Sequence, residues 1–384
     1  MLRRRARKCS SARLPPWASA IDATMGEALG KAYVARTFPP ESKARVVELV
    51  GDLLAVMSDR IDKVAWMTDA TRAQAKRKLL ELVRDKHVSG WDDPRMPTIA
   101  GIRRRGYTPE SIRLFCERIG VSKADSWIDM STLDQALRDD LEVRAPRATA
   151  VLKPLKLVVE NFDANAKEPC SAPRHPQHPE WGNREFHFTR ELWIEADDFM
   201  KEPIKGFFRL YPPIGDQPGS RVRLRHGFVV ECTGFETDAQ GNVTQVNVTH
   251  FPDSKSGTPG SNNYKVKGNI HWISTAEAIP AEVRLYDRLF TVPEPDADGD
   301  FKKHLNPHSL EVITAKLEPN LASAKAEERY QFERLAYFCL DEDTKPGALV
   351  FNRIVTLRDG WAKVAGVSAT GGTGTATAKG DKGR

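Results

Sequence analysis

Two short runs of the chain carry the residue types best suited to chemistry. In 221–232 the even positions Val222, Leu224, Phe228, Val230 and Cys232 are mostly apolar. Side chains alternate across a strand, so Arg223 and Arg225 share the opposite face, about two strand rises apart. Two neighbouring guanidiniums suit contact with a phosphate or a base edge. In Tyr330-Gln331-Phe332-Glu333-Arg334 the aromatic rings point one way, and Gln331 and Glu333 the other. A paired amide and carboxylate can match the donors and acceptors of an unstacked base. On strand pattern alone the plainer reading of both runs is a solvated outer face.

The sequence contains no complete catalytic constellation, so no catalytic residue is assigned. There is no H-E-x-x-H, no G-x-G-x-x-G or G-x-x-x-x-G-K-[ST], and no G-x-S-x-G. His175 and His178 lie near Cys170, but prolines break their spacing, which favours a surface loop over a metal site. No metal is expected. Five cysteines, odd in number and without a C-x-x-C pair, suit thiols buried singly in a reducing compartment.

The elements that must hold the two runs change character at Pro146. From Gly26 to Arg84 the reading is helical: Val46, Leu49, Val50, Leu53, Leu54, Met57, Ile61 and Val64 form one apolar stripe, and a second helix runs from Ala70 to Arg84. Gly90–Pro97 is dense in turn formers and reads as a loop. Helices follow near 109–118 and 131–143, capped by Thr108 and Ser131. Beyond Pro146 the candidate strands are 148–160, 184–195, 221–232, 243–251, 264–273, 281–292, 329–340 and 349–357, and 238–242 reads as a hairpin turn. Many short strands point to one or two closed antiparallel barrels. Residues 366–384, rich in Gly, Ala and Thr, read as disordered.

At 384 residues the chain has room for two or three domains, at roughly 150 residues each. The balance of 58 Lys+Arg against 52 Asp+Glu is +6. Arg3, Arg4, Arg5, Arg7, Lys8 and Arg13, with no acid among the first thirteen residues, account for all of it. Bulk charge therefore does not argue for a polyanionic partner. No apolar run is long enough to span a membrane, and the basic start lacks the apolar core of a secretory signal. A soluble, cytoplasmic, multidomain protein with no membrane association is expected.

Residues 76–364 resemble the C-terminal half of bacterial glutaminyl-tRNA synthetases, which are class I aminoacyl-tRNA synthetases. The carriers are Lys86–Thr98, Arg103–Tyr107, Ala145–Ala148, Val222–Arg225, Pro280–Phe290 and Gln331–Arg334. The resemblance implies a helical connector over 76–145 and two anticodon-binding barrels over 146–364. It also implies that Arg147, Arg209, Arg223, Arg225, Gln331, Glu333 and Arg334 contact the anticodon of tRNA(Gln). Where that family commonly has Gln-Tyr-Lys-Arg, this chain reads Gly206-Phe207-Phe208-Arg209. The family ligates glutamine to tRNA with ATP and magnesium, but nothing here resembles its Rossmann half, and its second signature loop survives only as Lys76-Arg77.

Residues 22–75 resemble a helical stretch of neprilysin-type zinc metallopeptidases, carried by Gly26–Val34, Phe38–Ala44, Trp66-Met67 and Thr71. That family's zinc ligands are not among them. The expectation is thus a multidomain α+β chain: a basic tail (1–21), a helical N-terminal segment, two antiparallel β-barrels, no Rossmann domain, and a tail over 365–384. As a truncated or fused synthetase it would bind tRNA but be inactive alone, and its exposed N-terminal helices would promote association.

Overall fold

A computed structural model describes residues 80–120, 128–292, 294–295 and 297–358. The chain divides into two units, Met1–His87 and Val88–Arg384. In the first, residues 80–84 end a helix, where one was expected to close; Lys76, Arg77, the apolar stripe and the tail at 366–384 lie outside the described residues.

The second unit opens with helices α1 (Ile99–Arg105), α2 (Pro109–Ile119) and α3 (Met130–Arg144). Thr108 caps α2 as expected, its hydroxyl accepting from Ser111 N, with Pro109 and Glu110 in the first turn. The cap of α3 is Asp129, not Ser131: the Asp129 carboxylate accepts from Ser131 N, which puts the serine inside the helix. Helix α1 was not foreseen, because seven residues with three consecutive arginines show no apolar stripe. It stops at Gly106, at φ 114°, where a Cβ would lie 2.7 Å from Ile354 Cδ1 and 2.8 Å from Cys339 Cβ. Only glycine meets both demands.

Sixteen strands follow among the described residues: β1 (Arg147–Ala148), β2 (Ala150–Val151), β3 (Pro154–Val159), β4 (Glu168–Pro173), β5 (Asn183–Phe188), β6 (Glu191–Glu195), β7 (Arg221–Leu224), β8 (Val229–Thr237), β9 (Val243–His250), β10 (Gly268–Ile270), β11 (Ile273–Ser274), β12 (Ile279–Tyr286), β13 (Leu310–Leu317), β14 (Arg329–Phe332), β15 (Ala336–Leu340) and β16 (Leu349–Thr356). One sheet runs β10-β7-β8-β9-β3-β6-β11 and another β1-β14-β15-β16-β12-β13-β2. In each, the two edge strands are neighbours in the chain: His271 and Trp272 separate β10 from β11, and Thr149 separates β1 from β2. One interrupted strand thus supplies both edges, which curls each sheet into a barrel and leaves little open edge.

The barrels are mixed rather than purely antiparallel. Strands β3 and β9, β7 and β10, β12 and β16, and β1 and β14 pair in parallel. Each of these pairs is joined by a long excursion rather than a hairpin, which leaves the parallel sense open. Several expected long strands are shorter pieces: 148–160 is β1, β2 and β3, 184–195 is β5 and β6, and 221–232 contains the turn between β7 and β8. The turn at 238–242 is present, with Asp238 N donating to Asn242 O at 2.9 Å.

Leu157, Leu192, Ile194, Val222, Leu224, Val246 and Val248 fill the first barrel, and the hairpin β4–β5 adds Cys170 and Phe188. Val283, Leu317, Phe332, Phe338 and Phe351 fill the second. Outside it, Tyr107, Leu137 and Leu141 of the helical part pack on Tyr337, Cys339, Ile354 and Val355. Cys170, Cys232 and Cys339 are free and buried, as expected for single thiols, whereas Cys116 is exposed. Burial pushes the Cys170 and Cys232 thiols up to about 11 and Cys339 to about 12.

Candidate nucleic-acid interface

Two hairpin tips, one from each barrel, meet at the centre of the second unit. In the β7–β8 tip, Gly227 N bonds Leu224 O and Leu224 N bonds Phe228 O, so Arg225 and His226 sit in the turn rather than on the strand. In the β14–β15 tip, Glu333 and Arg334 follow the last strand residue, Phe332. His226 (φ 61°) and Arg334 (φ 69°) both adopt the left-handed region without being glycine, at a cost of about 1–3 kcal/mol each. Across the gap Arg225 Nη2 lies 2.9 Å from Glu333 Oε1, and His226 Nε2 lies 4.0 Å from Glu333 Oε2.

Behind this contact Arg184 of β5 is almost wholly buried between two carboxylates, donating from Nη2 to Glu333 and from Nη1 to Glu318. Its Nη1 also donates to Thr149 Oγ1 at 2.7 Å. Glu333 answers to two guanidiniums and an imidazole. Burial raises its pKa, but Arg184, Arg225 and His226 outweigh burial and hold it below the usual glutamate range. Glu318 shares only Arg184, and its burial dominates, pushing its pKa up.

A second carboxylate organises the rest of the seam. Asp198, buried in the turn after β6, receives Arg334 in a bidentate fork at 2.7 and 2.8 Å. Arg209 Nε reaches the same carboxylate at 3.2 Å while its Nη1 donates to Asp197 O at 2.8 Å. Arg334 Nη1 also lies 2.9 Å from His271 Nδ1. A guanidinium only donates, so Nδ1 accepts and the ring hydrogen belongs on Nε2, which faces Glu195 at 3.5 Å. Glu195 in turn accepts from Leu152 N at 2.6 Å and Lys153 N at 3.0 Å, tying the seam to the crossover between the barrels.

Arg209, Arg225, Glu333 and Arg334 thus come together. The other three sequence candidates stand apart from them. Arg223 does not share a surface with Arg225: it donates to Ser254 O at 2.8 Å and Ser261 O at 2.9 Å, pinning the 252–263 loop. Its partners are neutral carbonyls and hydroxyls, and burial lowers its pKa. Arg147 is buried, with its guanidinium on Ala145 O at 2.8 Å and Glu142 Oε1 at 2.6 Å. Gln331 gives its amide to Tyr337 Oη at 2.8 Å and Glu142 Oε2 at 3.1 Å, so it does not act beside Glu333.

Arg184, Asp198, His271, Glu142 and Glu318 were missed in the sequence. Arg184 left a signal: it alternates with Phe186 and Phe188 on the inward face of β5. The others left none, since each sits at or near an element end with no alternation to mark it. His178 stacks on Trp181 at 4.4 Å and 8°, and His175 Nε2 lies 2.9 Å from Glu142 O. Among the described residues no group of three or more His, Cys, Asp or Glu is placed to hold a metal, and no helix is long and apolar enough to cross a membrane.

The family described as tRNA synthetases class I (E and Q), anti-codon binding domain, matches residues 145–250 and again 269–341. The C-terminal part of this chain belongs to that family. Over 289 residues this chain is 82% identical to the glutamine–tRNA ligase of Polynucleobacter necessarius, covering 75% of this chain and 49% of that protein. It is 62% identical over 291 residues to that of Ralstonia nicotianae, with the same coverage, and 58% identical over 289 residues to that of Bordetella bronchiseptica, covering 48% of it. The chain spans about half the length of the curated relatives it matches. Residues 5–85 match the family described as Peptidase family M13; only 80–85 of that stretch are described.

Proposed function

We propose that the two anticodon-binding barrels grip the anticodon arm of tRNA(Gln) along the seam between them. The observation that carries this reading is the convergence of Arg225 from one barrel and Arg334 from the other on carboxylates that aim them without burying them completely. The side chains of Arg209, Arg225 and Arg334 keep 43%, 36% and 22% of their surface exposed. Guanidiniums held this way present donors to phosphates and base edges without first losing side-chain freedom. Arg147 and Gln331 act from behind, fixing the helix–barrel corner through Glu142, and Arg223 holds the 252–263 loop against β7.

We assign the described residues this binding role alone. Activation of glutamine with ATP and magnesium belongs to the part of the relatives that this chain does not match, with Lys76 and Arg77 as the remnant of the ATP signature loop. The chain by itself then charges no tRNA. As a second reading, favoured by the half-length match, it works as one part of a split ligase.

The test is equilibrium binding of tRNA(Gln) and of an anticodon-substituted transcript across a salt series. Tighter binding to tRNA(Gln), falling with added salt, is expected. Arg225→Ala should weaken binding by roughly 1–3 kcal/mol. Equal affinity for both transcripts would refute the reading. Charging assays with and without a separately expressed catalytic part separate the two readings: activity restored only by the added part supports the split ligase.

A further inference from the structure

Phe208 stands on the surface beside the seam, and neither the pairings above nor the apolar cores use it. The residue is 53% exposed. A single exposed aromatic is ordinary; three observations set this one apart. First, its backbone is fixed. Met200 N bonds Leu210 O and Leu210 N bonds the backbone carbonyl of Asp198, both at 3.0 Å, which closes the base of the loop on the residue whose carboxylate holds Arg209 and Arg334. A Cβ on Gly268 would fall 2.1 Å from Phe208 O, so the loop lies directly against β10. Second, Lys267 Nζ sits 5.0 Å from the ring centroid, within cation–π range. Third, the next residue in the chain is Arg209, a partly exposed guanidinium of the seam.

A solvent-facing ring on a loop tied down at its base, with a cation at its face and a guanidinium beside it, has the makings of a base-stacking platform. We propose that Phe208 stacks on one unpaired nucleotide of the bound RNA, with Lys267 contacting that nucleotide's phosphate. This rests on the RNA-binding reading above and adds a nucleotide site chosen by stacking rather than by hydrogen-bond readout. Every base has a π-face, so the site tolerates any base at the stacked position.

The experiment titrates the full chain with a fluorescently labelled RNA hairpin of the tRNA(Gln) anticodon arm over a salt series. Phe208→Ala should weaken binding about ten- to a hundredfold and leave the salt slope unchanged. Phe208→Trp should restore affinity and Phe208→Leu should not, which separates stacking from packing. Lys267→Gln should flatten the slope by about 0.7, the share of one phosphate on a single strand. Binding by Phe208→Ala equal to wild type would overturn the platform, as would rescue by leucine. If the wild-type chain fails to bind the hairpin, the RNA-binding reading falls first and the platform with it.

Discussion

The second barrel has two junctions of different make. The one with the helices combines an apolar patch with ion pairs such as Arg104 on the buried Asp341 at 3.0 Å, and the one with the first barrel is carried by charge. Against the helices it buries an apolar patch of Leu137, Leu141, Tyr107, Ile354 and Val355. Against the first barrel it buries charge: Arg184 between Glu318 and Glu333, and Arg334 on Asp198. The apolar junction gains stability from area and tolerates small shifts. The ionic junction gains little net stability, because desolvation offsets the attraction, but charged hydrogen bonds hold only in one geometry. The barrel therefore draws most of its stability from the apolar contact with the helices, whereas the contact with its neighbour contributes chiefly register. Register is what two hairpin tips need if they are to aim guanidiniums at one ligand.

The largest expected effect breaks the ionic junction. Arg184→Met leaves buried Glu318 without a guanidinium and Glu333 with Arg225 alone, and should cost about 3–5 kcal/mol in urea unfolding. Replacing Glu318 and Glu333 with apolar residues in the same variant should recover most of that loss while tRNA binding stays impaired. A triple variant as unstable as the single one would contradict the account of register. Leu137→Ala, at the apolar junction, should cost about 2–5 kcal/mol through the cavity it opens, by the same amount at every pH.

Gly106→Ala strains the corner where α1 meets the second barrel. An alanine at positive φ, against Ile354 and Cys339, should lower stability by about 1–3 kcal/mol, read as a fall in melting temperature. The smallest effect is the most diagnostic. The folded-state pKa of Glu333 is depressed, so its contribution is complete above about 4.5, the ordinary glutamate value, and is lost as pH falls through the lower folded value. Glu318, whose pKa is raised, has the opposite sign and loses stability as pH rises through its folded value. Glu333→Gln should therefore unfold more easily than wild type at pH 7, with the gap closing on acidification. A gap that stays constant with pH, as for Leu137→Ala, would show that Glu333 acts by packing rather than by charge.

Much of this was legible in one dimension. Pro146 does divide helices from strands, Thr108 does cap α2, and the hairpin at 238–242 lies where its Asp, Gly and Asn residues put it. Those features depend on neighbours within a few residues. The face arithmetic for Arg223 and Arg225 failed for a local reason: the strand ends at Leu224, and a turn sends the second arginine elsewhere. The pairing of Gln331 with Glu333 failed in the same way at Phe332. Alternation holds only while the strand lasts.

By itself, the sequence determined the order of elements, the kinds of side chain on their inner faces and, through long matching segments, the family of its C-terminal part. Tertiary structure alone decided the partners of the charges. Arg184 lies 134 residues from Glu318, and Arg334 lies 136 from Asp198. Local propensity acts over a few residues and a strand pattern over one element, whereas a buried charge is satisfied only by whatever closure of the barrels brings within about 3 Å of it.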